Sequence, residues 1–116
     1  MITLSKKPTA KIPNYLSGVW LDGRFGWHNP YRVVLRAEEW GFEVPAEGRH
    51  IIDNYCANGN STLWYETDEM AEIVSGQGGL ADQATEFLQE IAPEGYEFVW
   101  DMGELTLMTE LEASHI

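Results

Sequence analysis

Apolar residues recur at Leu80, Ala84, Phe87, Leu88 and Ile91, a single stripe at the period of an α-helix. The stripe predicts a helix over 80–91, ended by Pro93 and Gly95. Beyond it the period drops to two. Tyr96, Phe98 and Trp100 share one face of a strand, and Leu105, Leu107, Thr109 and Leu111 alternate after Met102-Gly103. This predicts a hairpin of strands 96–100 and 104–111. Upstream, Thr67 precedes Asp68 and Glu69, a cap and an acidic first turn that predict a short helix over 68–74, stopped at Ser75-Gly76. Residues 46–58 read as another short helix, with Ile51, Ile52, Tyr55 and Cys56 on one face and Asn58-Gly59-Asn60 at its end.

The first half reads as strands. An apolar run over 15–21 meets Asp22-Gly23, a hairpin-turn dipeptide, and 24–28 becomes the return strand. Asn29-Pro30 signals a turn. Tyr31, Val33 and Leu35 then alternate with Arg32, Val34 and Arg36, which predicts a third strand. A short strand over 40–44 stops at Pro45, and 62–66 is a further strand candidate. The expected architecture is α+β: an antiparallel sheet, made of a meander plus a C-terminal hairpin, with two or three short helices on one face. Residues 1–13 form an N-terminal arm or edge strand, and 14–116 a single domain.

At 116 residues and 44% hydrophobic, the chain can bury a real core. No apolar run approaches the ~18 residues of a membrane span. Residues 1–13 have three lysines and no apolar core segment, unlike a secretory signal. A lone cysteine, Cys56, makes no internal disulfide and suits a reducing cytoplasm.

Charge changes the picture most. All seven Lys and Arg residues (Lys6, Lys7, Lys11, Arg24, Arg32, Arg36 and Arg49) precede His50. Asp22, Glu38, Glu39, Glu43 and Glu47 share that stretch, leaving fourteen of the 19 acids, and no Lys or Arg, from His50 onward. The formal net charge of −12 thus belongs to one half of the chain. A one-signed field speaks of partners rather than of fold. It disfavours direct contact with nucleic acid or anionic membrane, because phosphates are held by Lys and Arg. It favours a basic protein surface or divalent cations.

On helix 80–91 the outward row is Asp82, Glu86 and Glu90. Successive members stand about 6 Å apart along the axis. Asp68, Glu69 and Glu72 precede the row, and Glu94, Glu97, Asp101 and Glu104 continue it into the hairpin. Such a ridge of carboxylates copies, coarsely, a phosphate backbone with one charge per ~1.7 Å of duplex. It would occupy a basic groove by electrostatic complementarity.

Other chemistry finds less support. The 53–61 stretch fails as a calcium loop, since Tyr55, Ala57 and Asn58 stand where an EF-hand needs acids or amides and a glycine. Three scattered histidines and one cysteine make no zinc site, so no metal or cofactor is expected. Nothing selects a glycosidase pair from so many acids. Cys56, His50 and Asp53 would not face one another on a helix, and Cys56 reads as a small core residue rather than a nucleophile. His28 and His115 read as surface residues. No dinucleotide, Walker or nucleophile-elbow motif is present. The Gly76–Gly79 stretch before a helix could meet an anion, but no cation lies nearby. Trp20, Trp27, Trp40, Trp64 and Trp100 are spread over separate elements. They serve the core, and any exposed ones would be protein anchors or sugar platforms. Arg32 and Arg36 would share a strand face, with Val34 between them, as a candidate second interface in the first half.

The stretch Asn14-Tyr15-Leu16-Ser17-Gly18-Val19-Trp20-Leu21-Asp22 resembles the opening of ArdA-type antirestriction proteins. Members of that family are acidic mimics of duplex DNA that block restriction enzymes. The likeness covers about nine of 116 residues, and the chain is shorter than the family pattern. It transfers no functional residue. What it implies is the mimic class.

The leading expectation is therefore a non-enzymatic, acidic inhibitor of a nucleic-acid-handling complex, of antirestriction or anti-CRISPR type as phages carry. The alternative is a small-ligand or carbohydrate module built on exposed Trp rings. An enzyme with an acid in a concave pocket is a third class, and an oligomeric structural protein with open strand edges a fourth.

Overall fold

A computed structural model of the chain describes residues 11–59 and 64–114, without the side chains of Phe25 and Trp27. Most of the expected arm 1–13, residues 62 and 63 of the strand candidate, and His115 lie outside the described residues.

The α+β class holds. Three strands, β1 (Gly18–Leu21), β2 (Tyr96–Asp101) and β3 (Glu104–Thr109), form an antiparallel sheet in the order β1-β3-β2. The helices are α1 (Asn29–Glu39), α2 (Ala46–Asn58), α3 (Asp68–Ser75), α4 (Leu80–Glu90) and a final short α5 (Glu110–Ala113). Leu21, Phe98, Leu105 and Leu107 on the sheet meet Tyr31, Val33, Val34 and Ala37 of α1 and Leu80, Ala84 and Leu88 of α4 in one core. Helix α3 packs on α1, α2 and α4.

The expected meander of the first half is not what forms. Only β1 is a strand there. Asp22 is a helix cap rather than a hairpin turn: its carboxylate accepts the Arg24 N–H at 2.9 Å and starts a 3-10 helix, Gly23–His28, where the return strand was expected. The strand expected over 31–36 is part of α1. Pro30 sits in its first turn, where a missing N–H costs nothing. Tyr31, Val34 and Ala37 then bury a helical face. The strand expected over 40–44 is the end of this helix and a loop. Gly41 has φ 110°, its N–H bonds Glu38 O at 3.1 Å, and the Phe42 N–H bonds Ala37 O at 3.0 Å. That is the Schellman stop, for which glycine is best suited. Trp64, Tyr65 and Glu66 are not strand either.

The helices expected in the second half, and the hairpin, form within a residue or two of their expected bounds. Strand β1 carries a bulge: Val19 faces Thr106 and Leu21 faces Leu105, with Trp20 inserted between. Trp20 and Leu21 can then both face the helices, and Trp20 meets the Phe98 ring edge-on at 4.9 Å. On the other edge, Phe98 N–H donates to Gln89 Oε1 at 2.9 Å, and Gln89 Nε2 donates to Phe98 O at 2.6 Å. One side-chain amide thus replaces a neighbouring strand on β2 and blunts an edge that could otherwise pair with another chain.

The hairpin turn Met102-Gly103 has φ 53° and 82°, both positive, as a two-residue type I′ turn requires. Met102 is 93% exposed, so no packing offsets its left-handed conformation. Met102→Asn is expected to raise stability by roughly 0.5–1 kcal/mol, read as a higher midpoint in urea.

Candidate acidic binding surface

Helix α4 buries Leu80, Ala84 and Leu88, which turns Asp82, Glu86 and Glu90 outward in one exposed row. Asp68, Glu69 and Glu72 are exposed on α3, whose start is capped by Thr67 Oγ1 accepting the Met70 N–H at 3.1 Å. Glu94 is exposed in the turn after α4. Glu97 and Asp101 are placed differently. Phe98 points into the core and Trp100 donates its Nε1 proton to Thr85 Oγ1 of α4, at 3.1 Å. By strand alternation, Glu97 and Asp101 point away from the helices. Glu104 pairs directly with Asp101 and shares that outward face. The ten acids therefore form two groups rather than one ridge: one on the helical layer, one on the outer face of the sheet.

None of the ten takes part in an ion pair among the described residues. The ion pairs there join Arg24 to Asp22 (3.0 Å), Arg36 to Glu39 (2.8 Å), and Arg49 to both Glu38 (2.6 Å) and Asp53 (2.9 Å). Arg24, through the hydrogen bonds it gives Asp22, holds that carboxyl below its ordinary range, and Glu38 and Asp53 hold the Arg49 charge firmly. Exposed pairs of this kind add little stability. Their consequence is a partial segregation: Arg24, Arg36 and Arg49 are matched locally with acids at or before residue 53, whereas Lys11 reaches across to donate to Glu90 O at 3.1 Å.

The row on α4 is not electrostatically uniform. Asp82 lies in the first turn, where the helix dipole favours an acid, and its Oδ2 accepts the Gly78 N–H at 2.8 Å. Glu90 ends the helix, where the dipole opposes it. Neutralising the whole row therefore does not simply relieve repulsion, as the spacing alone suggests. Asp82→Ala is expected to cost about 1 kcal/mol and Glu90→Gln to stabilise by about 0.3–1 kcal/mol, a difference in sign that thermal melts at low salt would show.

A polar cluster escapes the sequence reading altogether. The buried Tyr31 donates its hydroxyl proton to Glu66 Oε2 at 2.5 Å and stacks on Tyr55 at 4.7 Å. Trp64 stands edge-on to both rings, and His28 Nδ1 shares a hydrogen bond with the Tyr55 hydroxyl at 2.9 Å. His28 is thus half-buried, not a free surface residue. The cluster ties the 64–66 segment to α1 and α2, and its members are too far apart in sequence to signal one another. Burial, reinforced by Glu66, pushes the Tyr31 phenol far above its ordinary range. A raised folded-state pKa leaves stability intact below pH ~10, where the unfolded phenol is also neutral, and erodes it as pH rises further. The unfolding free energy from urea titrations is expected to fall as pH rises above ~10, by up to about 1.4 kcal/mol per pH unit for each such phenol, and Tyr31→Phe to remove its share of that slope while Tyr55, raised by burial as well, keeps its own.

Cys56 is exposed, contrary to its expected place in the core. The buried face of α2 is centred on Gly48, Ile51 and Ile52, and Cys56 falls to its side. His50 and Asp53 are exposed, Asp53 lies in helix α2 rather than a loop, and no cluster of His, Cys, Asp or Glu fit for a metal occurs among the described residues. Arg32 and Arg36 do share a face, but a helical one. They line a cavity of about 370 Å³ with Trp20, Leu21, Leu35 and Glu39, in which the Arg36 guanidinium stands 4.3 Å over the Trp20 ring. The described tryptophans mostly serve packing in this way. Only Trp100 exceeds a third exposed, at 38%, and its ring nitrogen is already bonded.

No helix among the described residues is long and apolar enough to cross a membrane. Comparison with protein-family models, with curated proteins and with solved structures finds no match to this chain.

Proposed function

We propose that this chain is a non-catalytic, acidic binding protein that acts in the cytoplasm by occupying a basic groove of a nucleic-acid-handling complex, as antirestriction and anti-CRISPR inhibitors do. The observation that carries the reading is the segregation of charge: ten carboxylates on α3, α4, the turn after it, and the hairpin, with no ion-pair partner among the described residues, while Arg24, Arg36 and Arg49 are taken up by Asp22, Glu38, Glu39 and Asp53. The resemblance of residues 14–22 to ArdA-type proteins supports the same class. Carboxylates would take the Lys and Arg side chains that otherwise hold phosphates, giving fast association that salt weakens.

Affinity capture from a bacterial lysate tests this. The native chain should retain a nucleic-acid-binding complex at low salt and release it at high salt. A variant with Asp82, Glu86, Glu90, Glu97, Asp101 and Glu104 changed to Asn or Gln should retain none. Retention of identical partners regardless of charge and salt would reject the proposal.

A further inference from the structure

The outer face of the sheet carries more than charge. Across it, Val19 of β1, Thr106 of β3 and Val99 of β2 stand side by side in one row. Val19 is 58% exposed, whereas Val99, Thr106 and Met108 are half-buried. The row towards the hairpin tip is Asp101 opposite Glu104, and the row on the other side is Glu97 opposite Met108. Next to Met108 lies a depression of about 420 Å³, walled by Ser17, Gly18, Thr106, Leu107 and Glu112. The Thr109 N–H and hydroxyl hold the Glu112 carboxyl below its ordinary range, so it too is charged. The face thus has a mainly apolar Val-Thr-Val row about 10 Å wide, from three strands spaced ~4.8 Å apart, in which the Thr106 hydroxyl donates to Glu104 Oε2 at 3.4 Å, with carboxylates on both sides.

Protein interfaces are organised in this way, with an apolar core inside a polar rim. The α4 row is not: its outward positions Asp82, Glu86 and Glu90 are all acids and offer no apolar anchor. Charge also limits the occupant. A second copy would bring another net charge of −12 and set Glu97, Asp101 and Glu104 against like charges.

We propose that the outer sheet face, centred on Val19, Val99, Thr106 and Met108, is the docking surface for the basic partner, which presents β-branched or other apolar side chains between lysines or arginines. This deepens the acidic-binder reading above and rests on it. In this arrangement the apolar row supplies affinity by burial, Glu97, Asp101 and Glu104 supply register, and the α4 row supplies only long-range attraction.

Two synthetic peptides of equal length and charge separate these roles, one alternating Lys and Val, the other alternating Lys and Ser. Each is titrated at low salt into the isotope-labelled chain and followed by amide chemical shifts. The Lys-Val peptide is expected to bind about tenfold more tightly and to shift the amides of Val19, Val99, Thr106 and Met108. Val19→Thr with Val99→Thr keeps β-branched residues in both strands and is expected to erase that preference while leaving the melting temperature nearly unchanged. Equal affinity of the two peptides, shifts confined to α4, or a Lys-Val preference that survives the Val→Thr changes would overturn the sheet-face assignment and leave the acidic-binder reading standing. Failure of both peptides to bind would overturn the two together.

Discussion

Gly79→Ala is expected to cost about 3 kcal/mol or more, although it adds a single methyl group. A Cβ at this position would lie 2.6 Å from Ile73 O, 2.9 Å from Gly76 O and 3.1 Å from Val74 O. All three are backbone atoms, so no side-chain rotation relieves the clash. Gly79 also closes the tight reversal between α3 and α4. Its N–H donates to Gly76 O at 2.8 Å, and its carbonyl accepts from Gln83 N–H at 3.0 Å, opening α4. Shifting this turn would displace Leu80, which is buried against α2 where Gly48 leaves room for it. Gly26→Ala is the control: a Cβ there meets nothing within 4 Å, and a change within about 0.5 kcal/mol is expected. Chemical denaturation of the two variants side by side reads the difference.

The second large effect is on binding. Changing Asp82, Glu86, Glu90, Glu97, Asp101 and Glu104 to Asn or Gln removes six charges without removing side-chain volume. The three acids of the sheet face contribute about 0.5–1 kcal/mol each as exposed pairs, so affinity for the basic partner is expected to fall at least about tenfold, and loss of the α4 charges slows association as well. The native complex is expected to weaken at least about tenfold between roughly 50 and 200 mM salt, because exposed charges are screened beyond about 10 Å, and the neutralised variant to change little. Calorimetric titration at several salt concentrations measures both. An unchanged circular dichroism spectrum of the variant assigns the loss to the surface rather than to the fold.

Sequence periodicity located the second half of this molecule because its elements carry their own signals. Leu80, Ala84 and Leu88 mark the buried face of α4, and Met102-Gly103 marks a two-residue turn. The first half misleads for a physical reason. Val33 and Val34 favour strands locally, and Tyr31, Val33 and Leu35 alternate by chance within a helix, Asn29–Glu39, whose start and stop are marked by Pro30 and Gly41. Asp22-Gly23 suits a helix cap as well as a hairpin, and tertiary context decides: the buried Asn29 donates from Nδ2 to Asp22 O at 2.9 Å and to Gly103 O at 2.6 Å, pinning the start of α1 to the hairpin. The acidic row of α4 was legible as a row. That Glu97 and Asp101 leave it for the opposite side was not, because only the burial of Phe98 fixes which face of β2 looks outward. The bulge at Trp20, which puts Val19 in register with Thr106 and Val99, has no sequence signature either.

On the proposed reading the acidic surface takes the place of nucleic acid in a basic groove. Its most direct test is displacement: a fluorescently labelled duplex is bound to the complex captured by the native chain, and anisotropy is followed as the chain is added. The duplex is expected to be released in proportion to the chain bound, with release abolished by the six-charge variant. A ternary complex, in which the chain binds and the duplex stays with its anisotropy undiminished, would contradict it.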